Sequence, residues 1–174
     1  MSGDPGDSVT YHFTILNTGN SQEKMDYTIT SSWNIDNVGG STTLDMGASD
    51  RVSVTQTIPA DALASDTATL TFSVLNGAGS SSSVTTTAKQ VYGVTVSSGT
   101  LTGLNPGESG NLVFTVTNTG NGFDTFAIEH SGVWATSKSV SNLALDAGQF
   151  GTVQLTVQIP ADAASASSSS VGVS

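Results

Sequence analysis

The sequence predicts an all-β fold, two antiparallel β-sandwiches in tandem. Three observations predict it: a self-match at one fixed spacing, apolar residues that alternate with period two, and turn chemistry between the alternating segments.

The self-match decides the organisation. Pro5-Gly6-Asp7-Ser8 matches Pro106-Gly107-Glu108-Ser109, and Asn17-Thr18-Gly19-Asn20 matches Asn118-Thr119-Gly120-Asn121. Trp33 matches Trp134, Leu44-Asp45 with Gly47 matches Leu145-Asp146 with Gly148, and Ile58-Pro59-Ala60-Asp61-Ala62 matches Ile159-Pro160-Ala161-Asp162-Ala163. Every pair stands 101 positions apart (5 to 106, 33 to 134, 58 to 159), so neither an insertion nor a deletion separates the copies.

Taken in order, each segment reads as a strand or a turn. Tyr11, Phe13 and Ile15 alternate with His12, Thr14 and Leu16, which places one set on a core face; Leu112, Phe114 and Val116 repeat the pattern. A Thr-Gly-Asn turn follows, where glycine supplies positive φ and asparagine bonds its own backbone. Met25, Tyr27 and Ile29 then carry the core phase on to Trp33, as Phe126, Ile128 and Trp134 do in the second copy. Leu44-Asp45-Met46-Gly47 reads as the next turn, leading into Val52, Val54 and Ile58, or Val153, Leu155, Val157 and Ile159. Pro59 and Pro160 end that strand because proline has no N–H for the ladder. Leu70, Phe72 and Val74 form a further strand, with Asn76-Gly77 favouring a hairpin into Ser82-Ser83-Val84-Thr85. Residues 84–97 read as strand-like throughout, the last strand of copy one running almost directly into the first of copy two. Val, Thr and aromatic residues dominate these segments, and no sustained helical period occurs.

Composition narrows the setting. Only 10% of the 174 residues are charged, with Ser, Thr and Gly in the places that Lys and Glu usually fill, which suggests a secreted or cell-surface protein. The net charge is −10: residues 1–88 hold nine acids against Lys24 and Arg51, and 89–174 hold five against Lys89 and Lys138. Neither half offers a basic face for nucleic acid or anionic lipid. The absence of cysteine removes disulfides, zinc fingers and thiol catalysis. No segment is apolar enough for a membrane helix, and Met1-Ser2-Gly3-Asp4-Pro5 is unlike a signal peptide, so an exported form would be a mature piece.

The string Pro-Gly-Glu-Ser, Phe114-Thr115-Val116-Thr117-Asn118-Thr119-Gly120-Asn121, Asp124-Thr125-Phe126, Trp134 and Ile159-Pro160-Ala161-Asp162 resembles the bacterial and archaeal immunoglobulin-like modules of cell-adhesion-related proteins. It also resembles the related domains appended to alpha-galactosidases and other secreted glycosidases. The resemblance covers most of both copies and implies two immunoglobulin-like sandwiches used for spacing, adhesion or accessory binding, usually in strings. Copy one departs from it at Ser21-Gln22-Glu23-Lys24-Met25, where Asp-Thr-Phe is lost.

Residues able to carry chemistry are few. His12 falls on the outward phase of its strand and His130 on the inward phase, aligned with Ile29; with no ligand-spaced partner both read as structural. Asp45 and Asp146 occupy matching Asp-x-Gly turns. Calcium would need six or more oxygens, which no run of alternating acids supplies, and a carboxylate accepting backbone N–H bonds is the expectation. The serines lack a Gly-x-Ser-x-Gly elbow, and short-turned sandwiches seldom build the cleft that paired carboxylates need. Ser80-Ser81-Ser82-Ser83 and the serines of 165–170 read as flexible loops, and no Asn-x-Ser/Thr acceptor occurs. Catalytic, cofactor-binding and metal sites are accordingly expected to be none, and the protein not to be an enzyme.

Two full periods would need 202 residues, 28 more than the 174 here, and Ser174 corresponds to Ser73 inside a strand. The expected division is a first repeat at 1–90 lacking its entry strand and a second at 91–174 lacking its final strand. A window of a longer array explains this, as does head-to-tail assembly in which one chain donates a strand to the next. The leading functional expectation is a non-catalytic spacer or adhesion stalk, its partners neighbouring repeats or subunits of the same protein, with a cell-surface glycan or protein as a further candidate. The alternatives are an accessory carbohydrate-binding module, for which Tyr92, Phe123 and Phe150 are the aromatics off the core phase, and a strand-donation filament.

Overall fold

The structure is a computed structural model describing residues 1–76 and 79–174; Gly77, and with it the predicted Asn76-Gly77 turn, lies outside the described residues. It is all-β and sandwich-like, with no helix among the described residues. The chain divides into two compact units, Met1–Val91 and Tyr92–Ser174.

Unit 1 contains β1 (Ser2–Gly3), β2 (Ser8–Leu16), β3 (Glu23–Thr30), β4 (Asn34–Ile35), β5 (Gly39–Leu44), β6 (Ser49–Thr57), β7 (Thr67–Val74) and β8 (Ser80–Ala88). One sheet has the order β1-β8-β7-β3-β5 and the other β2-β6-β4; every pairing is antiparallel except the two-residue β1–β8 contact. The period-two phase fills the space between them. Tyr11, Phe13, Ile15, Val52 and Val54 from one sheet meet Met25, Ile29, Leu44, Leu70 and Phe72 from the other in one buried cluster. Phe72 stacks on Phe13 at 4.8 Å and on Tyr27 at 5.1 Å between ring centroids. Each large side chain removed from water here contributes roughly 1.5–3 kcal/mol.

Unit 2 contains β9 (Val94–Ser98), β10 (Ser109–Asn118), β11 (Asp124–Ala127), β12 (His130–Ser131), β13 (Ala135–Lys138), β14 (Asn142–Leu145), β15 (Phe150–Gln158) and β16 (Gly172–Val173). Its sheets are β13-β15-β10-β9, β11-β14 and β12-β16. Phe114, Val116, Ile128, Leu145, Val153 and Leu155 form its buried cluster.

The ladders of the two units share one register. Ser8↔Thr57 through Leu16↔Ser49 becomes Ser109↔Gln158 through Thr117↔Phe150, Glu23↔Leu44 becomes Asp124↔Leu145, and Ile29↔Phe72 becomes His130↔Val173. Turns recur at the same spacing. Ala48 N–H donates to Asp45 O and Gln149 N–H to Asp146 O, both at 3.0 Å, with Gly47 and Gly148 at φ 75° and 72° where a side chain would be strained. Among the described residues, even the two non-glycine residues at positive φ, Ser65 and Ala166, stand at matching positions.

Two features depart from the sequence reading, and a third separates the two units. Residues 89–93 are not strand: β8 ends where β1 ends, at Gly3↔Ala88, and the next ladder opens only at Val94↔Asn118. Gly93 lies so close to Thr119 that a Cβ would meet its hydroxyl at 2.6 Å. Ser80–Ser83 are not a loop but the opening of β8, paired to Thr71–Val74, with Thr71 Oγ1 and Ser83 Oγ 2.9 Å apart across the strands. Hydroxyl bonding across a ladder outweighs the loop preference of a serine run. The third lies inside the units. Where unit 1 packs Val9, unit 2 has Gly110, and Leu101 and Leu104 fill the space, since a Cβ there would come within 2.8 Å of each.

Candidate functional site

Each unit buries an asparagine at the end of a strand. Asn17 is fully buried; its Nδ2 donates to Ser21 O and Leu44 O, both at 2.8 Å, and its Oδ1 accepts from Gly19 N–H at 2.9 Å. Asn118 repeats the bracket with Gly122 O, Leu145 O and Gly120 N–H. Each side chain thus ties the end of one strand to the carbonyl closing another.

In unit 2 this bracket also gathers the aromatic residues that leave the core phase. Asn118 Nδ2 holds Gly122 O, beside Phe123; Asn118 N–H holds Gln149 O, beside Phe150; Thr119 N–H holds Gly93 O, beside Tyr92. Tyr92, Phe123 and Phe150 are 70%, 60% and 67% exposed. Unit 1 has Gln22 and Ser49 at the positions of Phe123 and Phe150. The sequence marks these three aromatics as off phase, but only the hydrogen bonds around Asn118 bring them to one end of the unit.

The other residues singled out by sequence stay apart. His12 is exposed, its Nδ1 2.9 Å from Ser53 Oγ. His130 points inward, as its phase predicts, and its buried Nδ1 has no hydrogen-bond partner. The Asp45 turn is closed by its main chain, while the carboxylate accepts from Gln22 Nε2 at 2.7 Å rather than from a backbone N–H. Among the described residues, no three of His, Asp or Glu come together in a group able to hold a metal ion. No helix of the described residues is long and apolar enough to cross a membrane.

Two carboxylates are held below their ordinary range. Asp26 is lowered first by hydrogen bonding from Lys24 and then from Asn76, with Lys24 Nζ 2.9 Å away; Glu108 is lowered by bonds from the backbone and side chain of Asn105. Asp26 stands in β3 beside Asn76 and Glu108 in the turn before β10, and among the described residues neither carboxylate is hydrogen-bonded to a histidine or serine side chain. Unit 1 also buries a polar chain that sequence reading missed: Tyr11 Oη lies 2.7 Å from Thr86 Oγ1, which donates to Gln56 Oε1, while Gln56 Nε2 donates to Ser31 Oγ. Gln56 and Thr86 are fully buried; unit 2 has Val157 in place of Gln56 and Leu112 in place of Tyr11.

No protein-family model matches the chain, and no curated protein matches it. Among solved structures, the chain aligns with a secreted serine protease, VesC from Vibrio cholerae, at 12% identity and a TM-score of 0.30. The alignment covers 100% of this chain and 48% of that one, so the chain spans about half of the protease's length. A likeness at that level carries no argument about fold or activity.

Proposed function

We propose that the chain is a non-catalytic spacer or adhesion stalk of a secreted or cell-surface protein, built from two tandem immunoglobulin-like sandwiches that belong to a longer series. The observation that carries the reading is the recurrence of one wiring diagram: the same ladder registers, the same turn bonds and the same buried asparagine bracket at a constant spacing of 101 positions. Repeated units with main chains so similarly fastened suit a load-bearing or spacing role, where each unit must hold its shape between neighbours. The partners of such a stalk are adjoining repeats. Small-angle scattering on the chain, and on a variant with a Gly-Ser insertion after Gln90, tests it. A spacer gives a narrow distribution of maximum dimension that broadens on insertion; a broad distribution in the parent chain defeats the reading.

A second reading, an accessory carbohydrate-binding module, is favoured by the exposed aromatics gathered about Asn118, since ring faces stack on sugar faces. A glycan array separates the two. Binding lost in Phe123→Ala and Phe150→Ala favours the second reading, and an empty array retires it.

A further inference from the structure

The loop that each buried asparagine fastens carries a second asparagine. In unit 2 it is Asn121, between Gly120 and Gly122; in unit 1 it is Asn20, between Gly19 and Ser21. The two loops are fastened alike. Asn118 Nδ2 donates to Gly122 O at 2.8 Å, as Asn17 Nδ2 does to Ser21 O, and the glycine ahead of the second asparagine donates its N–H to the bracket's Oδ1 at 2.9 Å. The bracket thus holds the residue after the second asparagine by its carbonyl, and the chain joins the next ladder only at Asp124 or Glu23.

What differs is the residue that follows the asparagine. Asparagine is chemically labile because the next backbone nitrogen can attack its side-chain carbonyl carbon and close a succinimide ring. A Cβ on that next residue hinders closure, both by its bulk and by restricting the torsions of the residue, and glycine removes both obstacles.

We propose that Asn121-Gly122 is a self-modification site, at which the asparagine converts to aspartate or isoaspartate and loosens the bracket of unit 2, while Asn20-Ser21 keeps its amide. Gly122 N gives up its proton to hydroxide and attacks Asn121 Cγ; the N–Cγ bond forms, the Cγ–Nδ2 bond breaks, and Nδ2 leaves as ammonia with a proton taken from water. Water then adds to one carbonyl carbon of the succinimide. Breaking the bond from Cγ to nitrogen gives aspartate, and breaking the bond from the main-chain carbonyl carbon gives isoaspartate, the nitrogen regaining its proton in either case. The net change consumes one water and releases one ammonia.

Isoaspartate routes the main chain through Cβ and Cγ, which lengthens it by one carbon between Asn118 and Gly122 and displaces the carbonyl that Asn118 Nδ2 holds. The same Nδ2 donates to Leu145 O at 3.0 Å, so the disturbance passes to the end of β14. The inference goes beyond the spacer reading and does not rest on it.

The test incubates the full chain in mildly alkaline buffer and follows Asn121 and Asn20 by peptide mapping, with isoaspartate read by enzymatic methyl-esterification. Asn121 converts at least about tenfold faster than Asn20, a barrier difference of ~1.4 kcal/mol, and faster still as pH rises. Gly122→Ser slows Asn121 to the Asn20 rate, and Ser21→Gly raises Asn20 to the Asn121 rate; the second variant keeps the comparison decisive if the first folds poorly. Converted protein, separated by its added charge, shows faster hydrogen exchange of the Asn118 side-chain amide and earlier unfolding of unit 2, read by Trp134 fluorescence in a Trp33→Phe background. The proposal is overturned if Asn121 keeps its amide as long as Asn20 does, if Gly122→Ser converts as fast as the parent chain, or if the Asn118 amide of the converted protein exchanges as slowly as before.

Discussion

Replacing Asn17 with alanine tests whether the asparagine bracket holds unit 1 together. The substitution strips two donors and one acceptor, leaving Leu44 O, Ser21 O and Gly19 N–H without the partners they have at 2.8, 2.8 and 2.9 Å. At about 1 kcal/mol for each bond, and more for a carbonyl that stays buried, the loss is about 3 kcal/mol. With a urea dependence of roughly 1.5 kcal/mol/M for a unit of this size, the midpoint falls by about 2 M. Trp33 and Trp134 belong to different units, so fluorescence in a Trp134→Phe background reports on unit 1 alone. Asn17→Asp sharpens the test. It keeps the acceptor for Gly19 but turns a carboxylate oxygen toward two carbonyls, so the folded state favours the protonated acid and its folded pKa rises above the unfolded one. The penalty is then full above the folded pKa and shrinks as pH falls through it, because a protonated carboxyl donates to one carbonyl. A loss below about 0.5 kcal/mol for the alanine variant, the scatter of an ordinary surface change, refutes the bracket as a structural anchor.

Three further outcomes follow from the same structure. Ser65→Gly and Ala166→Gly relieve left-handed backbone at φ 72° and 64° and raise stability by about 1 kcal/mol each, read by thermal unfolding. His130→Ile places the residue that unit 1 has at its buried position 29 and removes an unpartnered Nδ1; a gain of roughly 1 kcal/mol is expected in urea unfolding. Asp26, depressed chiefly by its bond from Lys24 and next by Asn76, contributes stability that is present above its unfolded pKa and lost as pH falls through its lower folded value. Carboxyl NMR titration shows it rising toward the ordinary range in Lys24→Ala, and by a smaller step in Asn76→Ala.

Local features were legible in the sequence and distant pairings were not. The alternation of Tyr11, Phe13 and Ile15, and the inward phase of His130, follow from the two-residue period of a strand and appear unchanged in the structure. The Asn-Thr-Gly turn was legible as asparagine bonding its own backbone, which is the Gly19 contact. The reach of the same side chain to Leu44, 27 residues away, was not. The Tyr11–Thr86–Gln56 chain escaped notice because its members stand on three strands that only folding assembles. Residues 89–93 and Ser80–Ser83 depart from the sequence pattern for one reason: a strand is made by its ladder partner, and composition does not name the partner. Tyr92, Phe123 and Phe150 were recognisable singly, while their assembly depends on main-chain bonds around Asn118.

The buried Gln56–Thr86–Tyr11 chain has a consequence for how the polypeptide folds. Two units with interchangeable ladder registers invite one unit's strand to pair with the other's partner while both are still forming. If β6 annealed to β10, the Gln56 amide would stand opposite Gly110, without the Thr86 hydroxyl that meets it in unit 1. That crossed product would carry a stranded buried amide, at a cost of roughly 1–3 kcal/mol. The polar residues of one interior act as an address label, directing β6 home along a chain whose backbone alone could not tell the two destinations apart.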